Sequence, residues 1–485
     1  MRYLAIPASL LLLSACTVGP NYGGPPQIGS ASGKAGNGFV RGGEAVLKQE
    51  PSLAAWWENF NDPILNQLEQ MAIAGSPDLD VARARLNQAR ASLRLEEVSG
   101  TPTVGAQAVY SHIRVPGLSL GGNEGDTASD GESGSKTNNY NIYNLGLQAN
   151  WELDLFGGQR RKTEAASAKL DAADAAVADA QVSLTSAVAQ AYFNLRDRQH
   201  RLELARDIAN QRQTQLDLTQ QRYEHGTGSK VDVDQAHTAL EQAQSDLSPL
   251  QIEAASFANA LAVLTGQVPG AVDSIVEPSA EIPLPPAQVA VGDPASLIRR
   301  RPDIRMAERQ LAASNAQIGV AEAAQFPSLS FLGILGVGGT SISDLSNLDD
   351  FAAVALPRLT WNFLDFGRSK ANVRQAKAAN DEASANYRST VLNALKDVED
   401  SLASFGHRRE MVARLARAEQ SSARAVTLTQ QRFEAGTVSR LQLLDAQNQH
   451  LILRQALVSA QAGLAESFVS VEKALGLGWE EGSQK

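Results

Sequence analysis

The chain has 485 residues, a formal net charge of -10, 5% aromatic and 20% charged residues. That length allows several domains, and the acidic balance excludes a nucleic-acid partner, because phosphate binding is driven by clustered Lys and Arg that release counterions. The single cysteine, Cys16, excludes an intramolecular disulfide.

The N-terminus, MRYLAIPASLLLLSAC, carries one basic residue, an apolar stretch too short to span a bilayer and small residues before the cysteine. Residues 1–15 are therefore expected to be an export signal. Leu13-Ser14-Ala15-Cys16 resembles a bacterial lipobox, which implies cleavage before Cys16 and acylation of its thiol. Residues 16–60 read as a lipid anchor and an extended tether, since residues 17–50 are rich in Gly, Pro and Ser and have no period. After residue 16 no run of 18 consecutive apolar residues occurs, so any membrane-spanning segment is expected to be β.

Residues 61–265 form a first structural unit. A helical pattern from Leu65 to about Val98 breaks at Gly75 to Pro77 and stops before Gly100-Thr101-Pro102. Tyr143, Leu145, Leu147, Ala149 and Trp151 then alternate with Asn144, Gly146, Gln148, Asn150 and Glu152, the two-residue period of a strand. Strands are expected at about 103–115 and 140–152, joined by the Gly/Ser/Asn-rich stretch from Pro116 to Asn139. Between Gly158 and Gly226 there is no Gly or Pro, which predicts one helix over about 158–224, roughly 100 Å long. Leu170, Val177, Leu184 and Ala191 recur every seven residues, a coiled-coil stripe that neighbours must cover. A shorter helix returns over about 230–265, with a bend expected at Pro249.

A connector of mixed structure over 266–301 leads to a second unit, 302–475, and a tail, 476–485. TQQRYEHGTGS from Thr219 is rewritten as TQQRFEAGTVS from Thr429, an offset of 210. Trp361 and Phe366-Gly367 echo Trp151 and Phe156-Gly157 at the same offset. Pro302-Asp303 and Phe326-Pro327 echo Pro77-Asp78 and Thr101-Pro102 at an offset of 225. The 15-residue difference falls in the long hairpin, where insertions are tolerated. The second copy predicts strands at about 328–338 and 352–362, a long helix over about 367–434 and a return helix over about 440–475.

The fold class is thus mainly α with four strands per chain. Open edges in hydrocarbon cost several kcal/mol per unpaired group, and the smallest closed membrane barrels use about eight strands. The sheet must therefore be shared between copies; the residues alone leave two copies with eight strands and three with twelve both open. Helices near 77–99 and 303–325 stacked on the returning helices would complete a helical tube.

Across nearly the whole mature chain the sequence resembles the TolC/NodT outer-membrane efflux family. The resemblance rests on Cys16-Thr17-Val18-Gly19-Pro20-Asn21-Tyr22, the stretch Trp151 to Gly157, Arg301-Pro302-Asp303-Ile304, the stretch Leu364 to Arg368, and the two Gln-Arg-aromatic-Glu-x-Gly-Thr tips. It implies a homotrimer with a shared 12-stranded barrel in the outer membrane, a long α-helical barrel in the periplasm and a mixed equatorial domain. It further implies a periplasmic membrane-fusion adaptor, an inner-membrane transporter that is proton-driven, and the lipoprotein branch, with acyl lipid on Cys16 and no other cofactor. Tyr223, Asp232, Phe433 and Asp445 are the implied periplasmic gate candidates. Phe433 has no hydroxyl, and Gln442 stands where relatives carry an acid. Gly226, Thr227, Gly228, Ser229, Gly436, Thr437, Val438 and Ser439 are the implied adaptor-contacting tip residues. Turn geometry alone is the competing reading for these eight, with Gly226 and Gly436 left-handed and Thr227, Ser229, Thr437 and Ser439 capping the next helix.

No chemistry competes with this reading. His112, His200, His225, His237, His407 and His450 lack metal-ligand spacing, no P-loop lysine follows a Gly-rich stretch, and no GxSxG follows a strand. The chain is expected to be a passive exit channel of a tripartite pump for drugs or other small molecules. The rivals are an exit duct for type I protein secretion and a periplasmic coiled-coil lipoprotein scaffold with no pore.

Overall fold

The computed structural model describes residues 17–26, 39–41, 46–47, 49–116, 137–277, 281–346, 349 and 351–479. Cys16, the export signal, residues 117–136 of the long hairpin and residues 480–485 lie outside the described residues. The first repeat contains helices α1 (Pro63–Gly75) and α2 (Pro77–Ser99), strands β2 (Thr103–Pro116) and β3 (Thr137–Leu153), the 67-residue helix α3 (Gly158–Glu224), and α4 (Lys230–Ser245) with α5 (Leu247–Leu264). The second contains α8 (Pro302–Ala323), β5 (Ser328–Gly339), β6 (Phe351–Thr360), a second 67-residue helix α9 (Arg368–Glu434) and α10 (Arg440–Ala474). Between them lie α6 (Asp273–Val276), β4 (Val289–Ala290) and α7 (Pro294–Arg300). A short strand β1 (Val46–Leu47) pairs in parallel with β4.

The chain divides into two compact units. One takes the described residues of Met1–Gly24, Ala89–Leu170 and Gln310–Ala383; the other takes those of Pro25–Gln88, Asp171–Arg309 and Ser384–Lys485. The first holds a four-stranded antiparallel sheet in the order β2-β3-β5-β6. The second holds the main core, built around aromatic side chains.

That core corrects the expected tether over 16–60. Trp56, Trp57 and Phe60, on a 3-10 turn at Trp56–Phe60, are buried. Phe60 packs on Phe193 of α3 at 4.7 Å and on Phe468 of α10 at 5.2 Å. Leu53 accepts backbone hydrogen bonds from Gly478 and Trp479, so the segment before α1 and the segment after α10 meet at this core. Gly, Pro and Ser upstream hid the aromatic cluster that follows them. Asp62 then starts α1 by accepting from the amides of Ile64 and Leu65, with Pro63 at the first helical position.

The heptad stripe also undersells α3. Between Val182 and Asp197 the buried residues include Val182, Leu184, Thr185, Ser186, Val188, Ala189, Tyr192, Phe193, Leu195 and Arg196, which leaves no free face. In α9 the burial does follow one stripe: Tyr387, Val391, Ala394, Val398, Leu402 and Phe405. The first return segment is broken at Asp246 rather than bent at Pro249. Pro249 would collide with the carbonyl of Ser245 four residues back, so the helix ends there and restarts with Pro249 in its first turn, where no amide is needed. Residues 230–264 have a best 18-residue window of mean hydropathy 1.2, enough by length and composition to cross a membrane. Glu253 within them is nevertheless ion-paired to Arg198 of α3.

Glu472 of α10 lies in the same core, 4% exposed. Burial pushes its carboxyl up to about 8 from an ordinary 4.5, against the opposing pull of the Arg300 guanidinium. The folded state therefore holds this proton more tightly than the unfolded chain. Its contribution is fully favourable below about pH 4.5 and is lost as pH rises towards 8. Glu472→Gln, neutral throughout, should flatten that slope: between pH 5 and pH 8 the wild type should lose on the order of 3 kcal/mol relative to the variant, read as diverging apparent Tm values.

Candidate functional site

Two features recur in both repeats and carry no enzyme-like chemistry: the sheet, and the turns at the ends of the long helices. In the sheet, cross-strand partners share a face. The register pairs Ala108 with Leu145, Leu145 with Val337 and Val337 with Phe351, one line across all four strands. Extending that face gives Val104, Ala106, Ala108 and Tyr110 on β2; Tyr143, Leu145, Leu147, Ala149, Trp151 and Leu153 on β3; Leu329, Phe331, Gly333, Leu335 and Val337 on β5; and Phe351, Ala353, Ala355, Pro357 and Leu359 on β6. Over this span it contains no charged residue; beyond Tyr110 the same face of β2 continues with His112 and Arg114, opposite Asn141 and Asn139 of β3. The opposite face is mixed: it carries the polar Gln107, Asn144, Gln148, Asn150, Glu152, Ser330, Arg358 and Thr360 among the apolar Val109, Ile142, Leu332, Ile334, Val354 and Leu356. All ten residues of β6 are exposed, and so are the apolar Val104, Leu145, Leu147, Leu335 and Leu359. An apolar face with nothing on it in the single chain, backed by one that carries polar residues, is the wall of a water-filled membrane channel.

The foot of the sheet is duplicated down to its hydrogen bonds. Trp151 Nε1 donates to the carbonyl of Gly100 at 3.1 Å, and Trp361 Nε1 donates to that of Gln325 at 3.1 Å. Asp154 caps α3 by accepting from the amides of Gln159 and Arg160. Asp365 does the same for α9, accepting from Ser369 and Gly367, and the Ser369 hydroxyl and these amides hold its carboxyl down at about 2. These caps went unread in the sequence, although Asp before a long helical run is a capping signal.

At the first helix turn the amides of Gly226 and Thr227 donate to the carbonyls of Tyr223 and Arg222. Gly226 has φ +72, and Gly436 at the second turn also has φ +72, with Gly436 and Thr437 donating to Phe433 and Arg432. This is the left-handed exit that glycine makes without steric cost. The Thr227 and Thr437 hydroxyls do not cap the next helix; they donate back to Arg222 and Arg432. Ser229 and Ser439 cap it. Ser229 Oγ accepts from the Asp232 amide while Asp232 accepts from the Ser229 amide, and Ser439 forms the same reciprocal pair with Gln442. Val438 occupies the place of Gly228.

Of the four gate candidates, Asp232 is thus committed to a capping box, and Ser229 holds its carboxyl below the usual range. Tyr223 is 46% exposed. The Arg440 guanidinium lies 5.5 Å from the centre of the Phe433 ring, a cation–π contact where a hydroxyl could have made a hydrogen bond. Asp445 of α10 is exposed and accepts from Gln215 of α3 at 3.4 Å, which joins the two repeats.

The fold, four antiparallel strands with two pairs of long helices, is that of an outer-membrane channel. A family model described as outer membrane efflux protein matches residues 68–267 and 294–477. The outer-membrane channel OprN superposes with a TM-score of 0.83 at 34% identity, over 96% of this chain and 100% of that one. The antibiotic efflux pump outer membrane protein ArpC of Pseudomonas putida is 31% identical over 99% of this chain and 96% of its own. Nodulation protein T of Rhizobium leguminosarum bv. trifolii is 30% identical over 97% and 96%. The chain belongs to the outer membrane efflux protein family, whose members are channels and not enzymes. It is the outer-membrane channel of an efflux pump, which sets aside the reading of a scaffold with no pore.

Gly436→Ala should strain the second turn by about 1 kcal/mol, and Ser439→Ala should loosen the start of α10 by about 1 kcal/mol. Hydrogen exchange at the Thr437 and Gln442 amides should accelerate in the respective variants, with the sheet unaffected.

Proposed function

We propose that three copies of this chain, each anchored by acyl lipid on Cys16, close a 12-stranded barrel in the outer membrane and form the passive exit duct of a tripartite pump for drugs or other small molecules. The observation that carries this reading is the sheet: the outer edges of β2 and β6 are unpaired among the described residues, and one face is apolar from Val104 to Tyr110 on β2 and along the strands paired with that stretch. Eight strands from two copies would enclose a space that side chains fill, whereas twelve leave a passage. A periplasmic membrane-fusion adaptor would meet the turns at Gly226–Ser229 and Gly436–Ser439, and a proton-driven inner-membrane transporter would load the duct. Tyr223, Asp232, Phe433 and Asp445 are the residues at which it would constrict. A ring of three Asp445 carboxylates would favour cations.

The duplication supplies the register between copies. Within the chain, pair Ala108↔Leu145 of β2 and β3 moves by the offsets 225 and 210 onto the observed pair Gly333↔Ala355 of β5 and β6. The same offsets move Gly146↔Gly336, the pair joining the repeats, to Leu356 of one copy and Ser111 of the next. This register keeps Phe351, Ala353, Ala355, Pro357 and Leu359 of β6 on the side of β2 that carries Val104, Ala106, Ala108 and Tyr110, and a slip by one residue would reverse that.

Ser111→Cys with Leu356→Cys should therefore cross-link in the membrane on oxidation, to a limit of covalent trimer, while Ser111→Cys with Ala355→Cys should not. Purified protein should conduct in planar bilayers, and a deletion strain should accumulate small antibiotics. Cross-linking that stops at dimer, or silent bilayers, would overturn the trimeric duct. A strain that accumulates no antibiotic but fails to export a protein substrate would favour the type I secretion reading instead. Cys16→Ser should lose the acyl chains yet stay in the membrane through its barrel.

A further inference from the structure

The segment Thr17–Tyr22 is bound along its length in the unit that contains the sheet. The Val18 amide donates to the Phe156 carbonyl at 3.1 Å, three residues past the end of β3. Arg161 of α3 is buried and directs its guanidinium at this segment: Nε donates to the Val18 carbonyl at 3.1 Å, and Nη2 donates to the Gly19 carbonyl at 3.0 Å and to Asn21 Oδ1 at 2.8 Å. Its remaining nitrogen pairs with Glu164 at 2.7 Å. From α8, Asn315 Nδ2 donates to the Pro20 carbonyl at 3.1 Å, and Tyr22 packs on Ala168, Ala312 and Ala313.

Three glycines make room for this path. Gly19 has φ +91 and faces Gly319 backbone to backbone; a Cβ on Gly319 would come within 2.8 Å of the Arg161 side chain. A Cβ on Gly157, φ +80, would lie 2.9 Å from Thr17 Cα. The duplicated positions lack the device. At the offsets of 210 and 225, Arg161 corresponds to Ala371, Gly319 to Arg94 and Asn315 to Arg90. Phe156 is stacked on Phe326 at 4.7 Å, while its counterpart Phe366 is 94% exposed. Only one of the two repeats is shaped to receive the segment.

We propose that residues 17–22 are a fixed strap, latched by Arg161, that clips α3 of the first repeat to α8 of the second and holds residue 17 against the foot of the sheet. A charged guanidinium given three backbone and amide acceptors away from water fastens the segment far more firmly than apolar contact alone. On the lipoprotein reading given above, the strap delivers the acylated Cys16 at a set point beside the sheet, so the lipid anchor is part of the fold and not the end of a loose tether. The acceptor of Arg161 is the backbone of one defined segment, which makes Arg161 a positioning residue.

Hydrogen exchange of the full-length membrane-inserted protein tests the strap, and the mass of the N-terminal peptide separately reads acylation. The Val18 amide should be protected in the wild type. Arg161→Met should accelerate its exchange at least about tenfold, with the amides of β3 unchanged. Gly19→Val, which keeps Arg161 but would drive a side chain into Gly319 of α8 and cannot adopt the bound backbone, should release the strap equally and decides the matter if Arg161→Met also unprotects β3. An unprotected Val18 in the wild type, or protection retained in Gly19→Val, would overturn the strap. A strap that behaves as stated on a peptide without acyl mass would leave the latch standing and remove only its role in placing lipid.

Discussion

The amides and carbonyls along the outer edges of β2 and β6 set the terms for the rest of the molecule. Four strands present one apolar face and two open edges. In water the apolar face is unfavourable, and in hydrocarbon the edges are, so neither environment suits the lone chain. On the proposed assembly, closure against further copies satisfies both at once. The long helices then need no membrane chemistry: they are Ala- and Gln-rich, amphipathic along α9 and buried around the middle of α3.

Duplication explains how a single chain meets that demand economically. The offsets seen in the sequence persist in strand register, in the two tryptophan-to-carbonyl bonds at the foot of the sheet, and in the two glycine exits with φ +72. Each repeat therefore presents nearly the same surface as the other. The departures are informative for the same reason. Trp56, Trp57 and Phe60 have no aromatic counterparts at the offset of 225, Arg161 and Gly319 have no duplicate, and the capping acid Asp232 becomes Gln442. These mark where the two repeats have been given different work.

Little in the channel reads as catalytic. Carboxylates that stand out have structural duties: Asp62, Asp154, Asp232 and Asp365 begin helices, and Glu472 is buried against Arg300. The chemistry of the protein is that of surfaces, one compatible with lipid and one with water, and of turns at the helix ends that present polar backbone in a fixed shape.

The local rules were legible in the sequence. The absence of Gly and Pro between Gly158 and Gly226 gave a 67-residue helix its bounds, strict alternation in β3 gave its two faces, and the repeated tips gave glycine exits, because each depends on neighbours within a few residues. Tertiary structure alone decided what distant segments do to one another. It turned a Gly/Pro-rich leader into a strap on Arg161, drew Trp56 and Phe60 into a core with Phe193 and Phe468, and assigned the Thr227 hydroxyl to the helix before it instead of the one after. Such contacts join residues up to hundreds of positions apart, and no period or spacing along the chain encodes which of many possible partners the packed fold will bring within reach.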